Sequence, residues 1–168
     1  WDVEKGMIAI SPAKHNVTVG GAFDAAENQI RRDLAAEVAG LKAGGKELEA
    51  KRLLQKVNYD LEIIKEVGYV NGIENYSRYF DGRTPGDPPW SLIDYFKKAY
   101  GDEFLVCVDE SHMTIPQLRG MFNGDYARKK TLIEYGFRLH SALDNRPMKF
   151  DEFYPKSPHF VYISATPN

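Results

Sequence analysis

Asp109 and Glu110 stand side by side at the end of an unbroken apolar run, Phe104-Leu105-Val106-Cys107-Val108, and are followed by Ser111 and His112. The run has the length and aliphatic character of a strand buried on both faces. Acids at the carboxyl end of such a strand lie where open α/β sheets place their ligand sites. There an Asp can hold Mg²⁺ while the neighbouring Glu orients an attacking water. Asp-Glu is also how an ordinary strand ends in a solvated turn, so the pair needs support from elsewhere in the chain. A second apolar run, His159-Phe160-Val161-Tyr162-Ile163, ends in Ser164-Ala165-Thr166 and is closed by Pro167. Two buried strands that both end in polar motifs are the minimum frame for a site.

The elements that must carry these motifs follow from periodicity. Met7 to Ile10 reads as a short strand stopped by Pro12. A helix is predicted from Asp24, which has capping-box spacing to Glu27. Its apolar stripe is Phe23, Ala26, Ile30, Leu34, Val38 and Leu41. Gly44-Gly45 ends it, and a second helix runs from Lys46 to Val67 with Ala50, Leu54, Val57, Leu61 and Ile64 on one face. Glu47 and Lys51 are ordered for a helical ion pair. The two helices form an antiparallel hairpin, because two mid-helix glycines would cost a continuous arm about 2 kcal/mol. Asn71 to Phe80 is a short aromatic-rich helix, Asp81 to Pro89 a loop, and Trp90 to Tyr100 a helix. Thr114 to Asn123 and Asp125 to Gly136 are predicted as two helices, and residues 141–158 as irregular apart from a turn at Asp151-Glu152-Phe153. Strands alternating with helices argue an α/β class with a helical insertion. The chain divides into a linker and short strand at 1–22, a helical hairpin at 23–67, and an α/β part at 68–168.

Composition bounds the rest. With 168 residues, 43% hydrophobic and 27% charged, the chain is a globular one able to bury a core. A net charge of −2 gives no overall attraction to nucleic acid, so any such contact must be local. Arg128-Lys129-Lys130 is the one triple-basic run. Tyr76, Arg78, Tyr79 and Phe80 put aromatics beside a cation, which suits base stacking and phosphate contact but equally suits core packing. Arg146, before a proline in an extended segment, could meet phosphate or an acidic partner. Histidines at 15, 112, 140 and 159 are too scattered for a zinc site. The single Cys107 reads as a mid-strand packing residue in a reducing, cytoplasmic setting. No apolar run is long enough to span a bilayer and no leader is visible, so no membrane partner is expected. A start at Trp1 rather than Met suggests processing or a fragment.

The spaced motifs Asp109-Glu110-Ser111-His112 and Ser164-Ala165-Thr166 resemble motifs II and III of the superfamily 2 helicases. The blocks around them narrow the resemblance. Val108 to Leu118, Gly124 to Leu132, Glu134 to Leu139 and Ser141 to Pro147 are similar to the B-subunit family of the bacterial excinuclease ABC. Upstream, Pro12 to His15, Tyr59 to Glu62, Gly72 to Arg78 and Pro85 to Pro89 resemble the same family, so the likeness covers nearly the whole chain. The resemblance implies part of a RecA-like, P-loop NTPase-type first motor domain carrying the hairpin as an insertion. It implies ATP and Mg²⁺ as cofactors, with Asp109 reaching Mg²⁺ through the nucleotide and Glu110 polarising the attacking water. It implies that His112 links this site to a second motor domain or to DNA, and that Ser164 and Thr166 pass on the nucleotide state. Damaged DNA and the excinuclease A and C subunits are the implied partners.

The departures are as informative. No Gly-x-x-x-x-Gly-Lys-[Ser/Thr] loop occurs in the 168 residues, so this stretch lacks the family's phosphate-loop strand and should hold ATP·Mg²⁺ weakly by itself. Two apolar strands without a third should make the isolated chain marginally folded, or dependent on the remaining segments of the same protein. Two other readings remain open from the sequence. One is a non-enzymatic interaction module built on the hairpin, and the other is a different superfamily 2 DNA motor.

Overall fold

Apolar residues at every third or fourth position between 26 and 64 build the largest element. In the computed structural model, which describes residues 22–166, they form helices α1 (Ala22–Ala43) and α2 (Glu47–Val67). The two pack antiparallel across the Gly44-Gly45 turn, with Ala26, Ile30 and Leu34 buried against Leu53, Val57, Leu61 and Ile64. The predicted stripe holds on α1. On α2 the buried residue is Leu53, and Leu54 is exposed, because the inner face tracks positions 50, 53, 57, 60/61 and 64. Helix α1 begins at Ala22, so Asp24 lies inside the first turn and is not the cap. Among the described residues no Glu47–Lys51 pair forms. Within the hairpin the i,i+4 ion pairs that form are Glu27–Arg31 and Lys56–Asp60.

The hairpin is roofed by a 3-10 turn (Ile73–Tyr76), the short helix α3 (Ser77–Asp81) and Leu139. Ile73, Tyr76, Tyr79 and Leu139 complete the core that α1 and α2 begin. The hydrophobic centre of the described residues therefore sits in the hairpin, away from the strands.

Helix α4 (Leu92–Tyr100) starts at a Ser91/Asp94 capping box after the proline loop, yet none of its residues is buried. It leads to β1 (Val106–Val108), which pairs in parallel with β2 (Phe160–Tyr162), Val106 opposite Phe160 and Val108 opposite Tyr162. The expected α/β sheet is thus two three-residue strands in a mainly helical structure. The strands are also not buried on both faces. Val108 is buried, whereas Leu105, Cys107, Val161, Tyr162 and Ile163 are exposed. With one neighbour each and few elements layered above, the strands have too little structure to cover them.

Between the strands runs α5 (Ser111–Glu134), one helix of 24 residues where two were expected. Pro116 lies inside the helix, at its sixth position, where it removes the N–H that would bond the His112 carbonyl, and Gly120 and Gly124 face open space within an unbroken helix. The chain then passes a 3-10 turn (His140–Asp144), the single-turn helix α6 (Phe150–Phe153) and a 3-10 turn at Tyr154–Lys156 before β2. The expected strand at Met7–Ile10 and the 1–22 linker lie outside the described residues up to Ala22, as do Pro167 and Asn168.

Candidate active site at the strand ends

Parallel pairing brings the two polar motifs together. Ile163 donates its N–H to the Val108 carbonyl (3.0 Å), and Ser111 donates to the Ile163 carbonyl (2.8 Å). These two bonds continue the ladder past the strand ends and hold the start of α5 against the end of β2. Glu110, at the N-cap of α5, adopts φ 45° and ψ 48°, the one non-glycine residue with positive φ among the described residues. Such a conformation costs on the order of 1–3 kcal/mol and persists where surrounding structure imposes it. Here the imposing contacts are the Asp109 side chain, whose Oδ1 accepts the Glu110 N–H at 2.8 Å, and Thr114 Oγ1, which donates to the Asp109 carbonyl at 2.9 Å.

Both carboxylates are exposed at the N-terminus of α5, where the helix dipole favours negative charge. Within the first turn, His112 Nδ1 lies 2.9 Å from Ser164 Oγ and 3.4 Å from Glu110 Oε2. Ser164 Oγ also accepts the Thr166 N–H at 3.1 Å. Glu110, His112, Ser164 and Thr166 therefore form one connected chain, although the motifs are about fifty residues apart. Among the described residues no group of three acids, histidines or cysteines could hold a metal ion unaided. Asp109 offers a hard oxygen donor of the kind Mg²⁺ accepts when phosphate oxygens and water supply its other ligands.

The three residues expected at a nucleic-acid surface are engaged by partners within the chain. Tyr76 is 4% exposed and its hydroxyl donates to Asp60 at 2.7 Å, with burial raising the phenol well above its ordinary pKa. Arg78 is 8% exposed, donates to Asp144 (2.7 Å) and Asp33 (2.9 Å), and lies over the Tyr79 ring. Arg146 donates to both oxygens of Glu152 at 2.8 Å, and that guanidinium holds the Glu152 carboxyl at about 2. In this structure their polar atoms serve intramolecular partners, and Tyr76 and Arg78 belong to the core. A signal for this was present. Asp60 falls on the buried stripe of α2, three residues from Val57 and four from Ile64, and a buried acid requires a partner.

Asp144 is the residue that sequence reading missed. Its carboxylate accepts from Arg78 and from the Gly86 N–H (2.7 Å), and its carbonyl accepts from Arg83 (3.0 Å). Through Arg78 and Asp33 this joins the proline loop and the 140–144 turn to α1 of the hairpin.

A helical hairpin fastened beside a strand–acid–helix unit is the class of structure defined here, and comparison gives that class a name. Residues 22–82 match the family model described as the UvrB third helical domain. The chain as a whole is homologous to UvrABC system protein B and corresponds to a segment of it. It is 56% identical over 160 residues to UvrABC system protein B of Chloroflexus aggregans, which covers 95% of this chain and 24% of that relative. It is 52% identical over 164 residues to the protein of that name from Herpetosiphon aurantiacus (98% of this chain, 23% of the relative) and to that from Enterococcus faecalis (98% and 24%). The chain thus spans about a quarter of the length of these relatives. No helix among the described residues is long and apolar enough to cross a membrane.

Proposed function

We propose that this chain is part of an ATP-dependent DNA-damage-recognition subunit of nucleotide excision repair, contributing motifs II and III of its first RecA-like motor domain. The observation that carries the reading is the junction of the two strand ends, where Glu110, His112 and Ser164 meet. Bound ATP·Mg²⁺ would supply the γ-phosphoryl group and its charge neutralisation, with Asp109 as the protein's ligand to Mg²⁺. Glu110 orients the water for attack from the N-cap position of α5. His112 senses Glu110 on one side and Ser164 on the other. Ser164 and Thr166 carry that difference along β2 toward the nucleic-acid site. The phosphate-binding loop, the further motor domain and the contacts to the A and C subunits belong to the rest of the protein, which acts on damaged DNA in the cytoplasm.

The exposed apolar surfaces support the same reading. Trp90, Leu92, Tyr95 and Tyr100 on and beside α4, with Leu105, Val161 and Ile163 on the strands, are large side chains left in water. Large apolar side chains exposed in this number are normally covered by an interface. Its occupant here is the remainder of the same polypeptide, with a further strand and the layer that covers it.

The test is Glu110→Gln in the full-length protein. DNA-stimulated ATP hydrolysis should fall by about 100-fold or more, while nucleotide affinity stays near wild type. Hydrolysis at the wild-type rate would remove Glu110 from its role.

A further inference from the structure

A polar cavity of about 360 Å³ opens where the second half of α5 passes the Ile73–Tyr76 turn and the segment Asn145 to Pro147. It lies about 25 Å along α5 from Glu110, at 1.5 Å per residue, and shares no residue with the strand-end site. Four cations line it, Arg128, Lys129, Arg138 and Arg146, against the two carboxylates of Glu74 and Asp125, a surplus of two positive charges.

Those charges are unequally committed. Lys129 is buried, with Asp125 Oδ2 at 2.7 Å and the Asn145 carbonyl as its acceptor. Arg128 shares Asp125 at 3.1 Å and otherwise extends into solvent. Arg146 is clamped by Glu152. Arg138 differs from all three, because among the described residues neither a carboxylate nor a hydrogen-bond acceptor engages its guanidinium. The group lies against Gly72, where a Cβ would come within 3.1 Å of Nη1, so the glycine, at φ +92°, leaves the space it occupies. A half-buried guanidinium with a free donor fork, in a concave site of net positive charge, matches the geometry and charge of a phosphate.

We propose that this cavity is a phosphate-binding site with Arg138 as its principal ligand and Arg128 and Lys129 alongside. The phosphate can belong to a single-stranded DNA backbone, an assignment that rests on the function proposed above, or to a free oligophosphate. The cavity's size suits one such unit. Either way α5 connects it rigidly to Asp109 and Glu110.

The experiment uses the full-length protein with Arg138→Gln and, as a charge-preserving control, Arg138→Lys. Binding of a single-stranded oligothymidylate is measured across a salt series, and inorganic tripolyphosphate is titrated by calorimetry. If the phosphate is DNA's, Arg138→Gln weakens the oligonucleotide by about tenfold and lowers the salt slope by about one, and Arg138→Lys restores most of both. If the source is free phosphate, oligonucleotide binding is unchanged and tripolyphosphate binding is lost in Arg138→Gln alone. Wild-type and Arg138→Gln proteins that bind both probes equally overturn the site while leaving the proposed function intact. A wild-type protein that binds no DNA, but binds tripolyphosphate in a way that Arg138→Gln weakens and Arg138→Lys restores, counts against the proposed function and for the site. A wild type that binds neither refutes both.

Discussion

Arg78 and Asp144 form an ion pair of 2.7 Å in which both side chains are only 9% exposed, 66 residues apart in the chain. The pair is not isolated, since Asp33 on α1 takes the second Arg78 nitrogen and Gly86 takes the second Asp144 oxygen. Hairpin and strand-bearing part are thereby tied at one buried point, which would let movement of one reach the other.

Removing one partner of a buried pair leaves the other charge uncompensated. Arg78→Ala should destabilise the protein by about 3 kcal/mol or more, read as a shift of the urea midpoint. Asp33→Ala, at a carboxylate 39% exposed, should cost clearly less. Equal costs for the two would show that Asp144 is not the principal partner.

Gly136 closes the far end of α5 against α2. It has φ +71°, and a Cβ there would lie 2.2 Å from the Glu49 carbonyl oxygen, a backbone atom that cannot turn aside. Gly136→Ala should therefore destabilise by about 2–4 kcal/mol, combining left-handed strain with a displaced helix. Gly45→Ala meets no atom within 4 Å and bears the conformational part alone, so it should be the milder change in thermal denaturation.

The Arg146–Glu152 clamp makes a pH prediction. Glu152 is lowered from 4.5 to about 2, chiefly by its hydrogen bonds from Arg146. A depressed carboxyl adds stability that is fully present above its unfolded pKa and is lost as pH falls through the folded one. The window is therefore pH 4.5 down to 2. Glu152→Gln should flatten the stability profile there relative to wild type, and unchanged curvature would show that the pair breaks before Glu152 titrates.

Cys107 reports on what covers the strands. It is exposed in this chain, in the middle of β1. If the rest of the protein completes the sheet, a maleimide should label Cys107 at least tenfold more slowly in the full-length protein than in the 168-residue chain. Equal rates would mean that this face stays open.

The hairpin was legible because its signal is local: a stripe of six apolar positions on α1 and a glycine pair between the helices. Even there Leu53 and Leu54 were interchanged, since adjacent leucines fit one stripe almost equally until a partner chooses the face. Helix α5 was split in two because Gly120 and Gly124 weaken local propensity, and propensity does not register the Gly136–Glu49 contact that anchors its far end. The two strand-end motifs were legible, but the meeting of His112 with Ser164 was not, because it depends on the two strands pairing directly and in parallel. Asp144, Arg83 and Arg138 were not visible, because their environments are made by segments far apart in the chain. For Tyr76 and Arg78 core packing and a nucleic-acid surface both stayed open for the same reason. Nothing within ten residues of them shows that Asp60, Asp33 and Asp144 converge on them.

If the two strand ends act as one relay from nucleotide to DNA, the contact that carries it is His112 Nδ1 to Ser164 Oγ at 2.9 Å. The direct measurement is a double-mutant cycle of His112→Ala and Ser164→Ala in the full-length protein, read as DNA-stimulated ATP hydrolysis. Each single change should lower the DNA stimulation, and the double change should lower it little further, giving a coupling of about 1 kcal/mol or more. Strictly additive losses, or stimulation that survives both changes, would contradict the account.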